Sequence, residues 1–373
     1  MNILLAPNAM KGSLSATAIA GILANTLQKK FPSASIVSIP IADGGNGTLD
    51  CLMNALGGIV FHREVTGPIP SMKVQARFGI TKDNIAIIES AEAIGLHLLS
   101  PSAESIAQST SRGVGELIVE AVHRHCKEIW IGLGGTATND GGAGMARALG
   151  IDYRDERNQS LDEGSLSLIH LKKIMNYELR IMKDVKTILL SDVTNPLLGS
   201  QGATYTFARQ KGANGDQLPY LEAALKNFSD VLQHDVKKNF VHATGSGAAG
   251  GLGFGLLTFC NATLVSGIDF ILDTIQFNEK LHVCDFVITT EGMLDEQTLF
   301  GKGIAGITQR ASLYKKPVHT FAGRILGDKE KLKKELGLAS LTEISPHSMS
   351  TEEAMKNAGR LLADALFHHQ FRL

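Results

Sequence analysis

Apolar positions along the chain switch between two spacings. Asn2–Ala6 is a short apolar run that predicts a strand, and from Ser15 to Phe31 the residues Ile19, Leu23 and Leu27 recur every four positions, with Ile22 widening the stripe. That spacing marks one face of a helix, which Pro32 stops. Ser35–Pro40 predicts the next strand, and a helix follows to about Leu56. From Val65 the period shortens to two: Met72, Val74, Ala76, Phe78 and Ile80 alternate with other residues, and Ile85–Glu89 beyond the turn predicts a hairpin partner. Val114, Leu117, Ile118, Ala121 and Val122 restore the helical spacing and lead into the apolar run Ile129–Ile131. Further strands are expected at Lys186–Ser191, Asp285–Thr290, Pro317–Gly323 and Leu341–Pro346, and helices at Leu218–Leu232 and Thr351–Phe367; residues 151–185 are charged and weakly patterned.

Strand-to-helix alternation at both ends, with antiparallel pairing between, predicts an α/β protein of two domains. Residues 1–64 plus 285–373 are expected to form a Rossmann-like parallel-sheet domain. Residues 65–284 would be an inserted α/β domain rich in glycine loops, with a cleft between the two. A length of 373 residues, too long for one ordinary core, agrees with this. The formal net charge of -1 gives no bulk attraction to nucleic acid or membrane, so partners must be argued from sites. The uncharged stretch from His242 to Ile268 is long enough to span a bilayer, but its glycines favour a buried loop and helix. Cys51, Cys126, Cys260 and Cys284 show no metal-ligand spacing, and the start of the chain has no export signal, which predicts a reduced, cytoplasmic protein without structural zinc. A homodimer is expected only because dimers are common.

Polar glycine loops follow several of the predicted strands. Gly132-Leu-Gly-Gly-Thr-Ala-Thr-Asn-Asp-Gly-Gly-Ala-Gly-Met145 surrounds Asn139 and Asp140 with six glycines, a composition suited to backbone amides around an anion and a carboxylate near a metal ion. Lys11-Gly-Ser13 precedes a helix, Asp43 precedes three glycines and a helix, and Asp192 with Asn195 ends another strand. Glu291 and Asp295 follow a further strand, and Lys302 opens the next helix. Phosphoryl transfer needs this mixture: amides and lysines for the donor phosphates, one or two carboxylates for Mg²⁺, and a carboxylate as base for an acceptor hydroxyl. Each loop also has a plainer reading, as a turn or a helix cap. Gly245-Ser-Gly247-Ala-Ala-Gly250, with Asp269 beyond it, fits a dinucleotide fingerprint and motivates a rival, a dinucleotide-dependent oxidoreductase.

The chain resembles the glycerate 2-kinase family, the bacterial type of the glyoxylate and glucarate pathways, over nearly its whole length. The resemblance rests on Ala6-Pro7 with Lys11-Gly-Ser-Leu-Ser15, Ala42-Asp-Gly-Gly with Gly47-Thr48, and Gly134-Gly135 with Ala137-Thr-Asn-Asp-Gly-Gly142. Asp192-Val-Thr-Asn-Pro-Leu197, Gln210-Lys-Gly-Ala213, Gly247-Ala-Ala-Gly-Gly-Leu-Gly253, Glu291-Gly with Leu294-Asp295 and Gln297-Thr298, and Gly301-Lys302 complete it. It implies ATP-dependent, Mg²⁺-assisted phosphorylation of D-glycerate at the 2-hydroxyl to give 2-phosphoglycerate.

On that reading Lys11, Asp43, Asp192 and Asp295 are the catalytic candidates, with Asp43 or Asp192 as base or Mg²⁺ ligand. Ser13, Asn195, Glu291 and Gln297 would bind substrate; Gly134, Gly135, Thr136, Asn139, Lys211 and Lys302 would bind ATP. Four positions depart from the family pattern: Asn8 where aspartate is usual, Asn46 where glutamate is usual, Thr290 where glycine is usual and Met293 where arginine is usual. They bear on rate and acceptor choice, and they motivate the other rival, a catalytically silent paralogue that binds glycerate or nucleotide.

Overall fold

The computed structural model describes residues 1–295 and 302–371. The chain divides into one unit made of Met1–Asp43 with Ile268–Leu373 and another made of Gly44–Gly267. Both dividing points fall earlier than the expected 64 and 285. The helix Thr48–Leu56 and the strand Gly58–Thr66 go with the second unit, where Gly58–Thr66 forms an edge of its sheet.

The first unit is built on five parallel strands in the order Ser340–Glu343, Val318–Ile325, Phe286–Leu294, Asn2–Leu5, Ser35–Ser38. Ile3, Leu4 and Leu5 are all buried, as a parallel sheet covered on both faces requires. From Asn2–Leu5 the winding first goes outward to Ser35–Ser38, then restarts on the other side at Phe286–Leu294 and proceeds the opposite way. The direction therefore reverses between Asn2–Leu5 and Phe286–Leu294, where doubly wound sheets open a crevice at the carboxyl ends of their strands. Ser15 starts the helix Ala16–Lys30 by accepting from the Ala18 amide, and Lys29 and Lys30 complement the dipole in its last turn. Its Ile19, Leu23 and Leu27 join Ile3, Phe286, Leu361 and Leu362 in one core.

The second unit has a six-stranded sheet in the order Thr263–Val265, Lys186–Leu190, Glu128–Gly132, Ile85–Glu89, Lys73–Thr81, Gly58–Thr66. The first four run parallel and the last two antiparallel. Ile85–Glu89 pairs with Lys73–Thr81 as the period of two predicts; Gly58–Thr66 adds a further strand that the sequence pattern does not predict. Glu89, Gly132, Leu190 and Val265 stand in register, so the loops beyond these strands emerge along one edge. Residues 151–185 contain a short antiparallel pair, Asp152–Arg154 with Lys173–Met175, that buries Tyr153 and Ile174. The uncharged stretch forms the buried helix Leu252–Phe259, and no helix among the described residues is long and apolar enough to cross a membrane.

Candidate active site

In the first unit, three loops meet at the carboxyl end of the sheet where its winding reverses. The Asn8 side-chain amide donates to Glu291 Oε2 at 3.1 Å, and the Thr290 hydroxyl donates to the Asn8 carbonyl at 2.7 Å. Two departures from the family pattern, Asn8 and Thr290, are thus direct partners. The Ile41 amide donates to the Pro7 carbonyl at 2.8 Å and brings the Asp43 loop alongside. Glu291 also accepts from the Gly292 amide at 3.1 Å. Burial raises its proton affinity above the ordinary carboxylate range and the charge of Asp43 adds to this; its two hydrogen bonds and the Lys11 ammonium act against it. Lys11, Asp43 and Glu291 are therefore electrostatic neighbours, and Asp295 follows directly on the Glu291 strand.

The Lys11 loop is docked on the closing helix Thr351–His368. Gly12 has φ +77°, and a Cβ there would stand 2.7 Å from the Met355 side chain. The Ser13 hydroxyl donates to the Met355 carbonyl at 2.7 Å, so it fixes the loop as well as facing the cavity beside it. That cavity, about 770 Å³, is lined among others by Lys11, Ser13, Glu291, Met293, Arg324 and Met355. Arg324, which the sequence reading missed, is the register partner of Met293 and is held by the Met349 carbonyl at 3.0 Å and Glu343 Oε1 at 3.9 Å. The available signal was Gly323: a Cβ there would meet the Gly292 carbonyl oxygen at 2.4 Å, so the two strands stay close beyond the expected strand end.

In the second unit, the glycine run after Glu128–Gly132 is a tight backbone assembly. The Gly134 amide donates to the Gly44 carbonyl at 3.0 Å, and a Cβ at Gly134 would stand 2.5 Å from the Gly45 Cα. A Cβ at Gly135 would meet Asn46 Oδ1 at 2.0 Å. Asp140, read as a possible metal ligand, is fully buried and accepts from the Ser111 amide, the Ser111 hydroxyl and the Gly142 and Gly144 amides at 2.7–3.1 Å. Burial raises its proton affinity against those four bonds. Its carboxylate organises the loop and the start of the helix Ala143–Ala148.

Asn139 and Lys211, expected to reach a phosphate, meet a different geometry. Asn139 is 0% exposed and donates to Thr204, while Lys211 is 4% exposed and donates to the Thr138 carbonyl at 2.8 Å. Burial pulls the Lys211 ammonium down to about 8, with the Asp140 charge opposing. Thr136 is also buried and forms a bridge with Gly95. Asp192 Oδ1 accepts from the Ser266 hydroxyl and the Gly267 amide, which ties two strand ends together. Asn195 donates to the Gln201 carbonyl, and its own carbonyl accepts from the Gly247 amide. Gln297 lies outside the described residues, as does the side chain of Lys302, whose backbone opens the helix Lys302–Leu313.

Sequence reasoning also missed Glu89. Its carboxyl is 4% exposed, accepts from the Gly47 and Leu49 amides at 3.0 and 3.2 Å, and is pushed up to about 7 by burial. The dinucleotide fingerprint does not hold. No strand leads into Gly245–Gly250, and a Cβ at Gly247 or Gly250 would collide with the carbonyl oxygens of Pro196 or Thr138. These glycines serve backbone packing within the unit.

Residues 3–369 match the sequence profile of the Glycerate kinase family. The chain belongs to that family. It is 38% identical over 365 residues to the glycerate kinase of Bacillus subtilis strain 168, covering 97% of this chain and 95% of that one. With the glycerate 2-kinase of Escherichia coli K12 it shares 39% identity over 331 residues, 88% of this chain and 86% of the relative. A crystal structure from Salmonella typhimurium LT2, assigned as a glycerate kinase 2, superposes with a TM-score of 0.81 at 36% identity, covering 98% of this chain and 96% of that one. The protein is accordingly a kinase of α/β fold, and the oxidoreductase alternative falls.

Proposed function

We propose that this kinase transfers the γ-phosphoryl group of ATP to the 2-hydroxyl of D-glycerate, giving 2-phosphoglycerate and ADP. The observation that carries the reading is the grouping of Lys11, Asp43 and Glu291 on loops at the carboxyl end of the first unit's sheet. The names of the Bacillus and Escherichia relatives support the acceptor. Asp43 takes the proton of the 2-hydroxyl, whose oxygen attacks the γ-phosphorus as the bond to the bridging oxygen of ADP breaks. Lys11 offsets the negative charge that builds on the transferring oxygens.

Asp43 is preferred to Asp192 as base because its charge and that of Lys11 both act on Glu291. The residues fit Mg²⁺: Glu291 is a half-buried carboxylate whose proton affinity is raised by burial and further by the Asp43 charge, a setting that a cation relieves. Glu291, with the Asp43 carboxylate beside it, would hold the ion, which when bound supplies neutralisation of the ATP phosphates. Asp43→Asn and Asp192→Asn test the assignment. Asp43→Asn should lower turnover by about 10²–10⁴ with nucleotide affinity retained, and Asp192→Asn should keep most turnover. The reverse pattern removes Asp43 as base.

A further inference from the structure

The cavity beside Lys11 is far larger than a three-carbon acid fills. At about 770 Å³ it falls within the roughly 300–1,000 Å³ typical of pockets for drug-sized ligands. Three of its lining side chains are apolar yet open to solvent: Met293 is 52%, Leu326 48% and Met355 38% exposed. Large apolar side chains left open on one wall of a concave site call for an occupant with an apolar face, and thioethers adapt well to a flat aromatic ring. Beside that wall stand two cations. Lys11 is exposed, and Arg324 is steadied by the Met349 carbonyl and Glu343 on the cavity's rim. The whole arrangement lies at the reversal of winding in a parallel sheet. Meanwhile the glycine run expected to cradle phosphate has its Gly134 amide bonded to Gly44 and its Asn139 side chain buried, and Lys211, expected to join it there, is buried as well.

We propose that this cavity is the nucleotide site, with the purine ring against Met293, Leu326 and Met355 and the phosphates meeting Lys11 and Arg324. The assignment rests on the kinase reading and deepens it, moving ATP recognition from the glycine run of residues 132–142 to the first unit. A longer hydroxy acid would match the apolar wall but would bring one carboxylate to two cations. A nucleoside triphosphate matches both the wall and the charge.

The test is photolabelling of the full-length protein with 2-azido-ATP in the presence of Mg²⁺, with the modified peptides mapped by mass spectrometry. The proposal expects label on peptides containing Met293, Leu326 or Met349–Met355, suppressed by excess ATP. Label confined to residues 132–142 or 245–253, or no ATP-suppressed label, overturns it. Leu326→Asp gives a second readout on a half-exposed residue whose replacement leaves the core intact. It should raise the KM for ATP at least tenfold, leave the KM for D-glycerate unchanged and keep the melting temperature. A raised KM for D-glycerate with that for ATP unchanged assigns the cavity to the acceptor and overturns the proposal. Labelling does not require turnover, so a protein that fails to phosphorylate D-glycerate but labels in the cavity contradicts the acceptor and upholds the nucleotide site.

Discussion

Asn8 and Glu291 meet across adjacent parallel strands, the Asn8 amide donating to the Glu291 carboxylate at 3.1 Å where the winding of the first unit's sheet reverses. An amide at this position leaves Glu291 as the only carboxylate of the pair. Asn8→Asp would face two carboxylates at hydrogen-bonding distance, which must then share a proton. The proton affinity of the pair rises on folding, so stability is retained below the unfolded carboxylate range and lost as pH rises through the folded value. We expect the variant's deficit against the parent to grow from pH 5 to pH 8, reaching about 1–3 kcal/mol at pH 8. Parallel melting profiles from pH 5 to 8 would show that the two side chains are not coupled.

Glu89 makes a separate prediction about pH. Its carboxyl is raised from 4.5 to about 7 by burial, so the folded state binds a proton more tightly than the unfolded chain. Its contribution is fully present below about pH 4.5 and declines as pH rises through about 7. Glu89→Gln should flatten the decline in stability between pH 5 and 8, by an amount on the order of 2–3 kcal/mol at most. Urea titrations of parent and variant at both pH values measure it, and an unchanged difference between the two pH values argues against Glu89 as its source.

Gly135 is held open by Asn46. With φ +75° and a Cβ that would fall 2.0 Å from Asn46 Oδ1, Gly135→Ala should lose about 1–3 kcal/mol. Asn46→Ala removes the obstructing atom but not the backbone strain, so the double variant should recover part of the loss. Strict additivity in a double-mutant cycle would place the whole effect in the backbone.

Asp140 should behave as a structural residue. Its removal by Asp140→Ala leaves the Ser111, Gly142 and Gly144 donors without their buried acceptor and should cost about 3–5 kcal/mol, with poor soluble yield. Asp140→Asn keeps one acceptor oxygen and should fall between. If Asp140→Ala folds with parent stability and loses only turnover, the residue belongs to the chemistry instead.

Much of the architecture was legible because burial repeats with the period of the element. Ile19, Leu23 and Leu27 all reached the core, and Lys73–Phe78 alternated as a half-buried strand should, the alternation ending at the buried Gly79. The glycines were harder. The sequence marks where backbone must come close, but the approaching group at Gly134 and Gly135 proved to be the Gly44–Asn46 loop of the same unit. Polar residues were ambiguous for a related reason. Asp140 and Asp192 carry the same chemistry as Asp43, and only their partners, distant in sequence, distinguish a carboxylate that holds a loop from one beside Glu291. Glu89 gave no local signal, since it is one charged residue at the end of an apolar strand.

The most direct test of the account is ADP release by the purified protein with Mg·ATP and D-glycerate, followed by phosphorus NMR of the product. The account predicts glycerate-dependent ADP release with the phosphate on the 2-hydroxyl, which would also show that Asn8, Asn46, Thr290 and Met293 permit catalysis. ADP release that does not depend on D-glycerate, or a phosphate found on the 3-hydroxyl, would contradict it. Absence of turnover, with ATP still raising the melting temperature, would contradict it in favour of a silent nucleotide-binding paralogue.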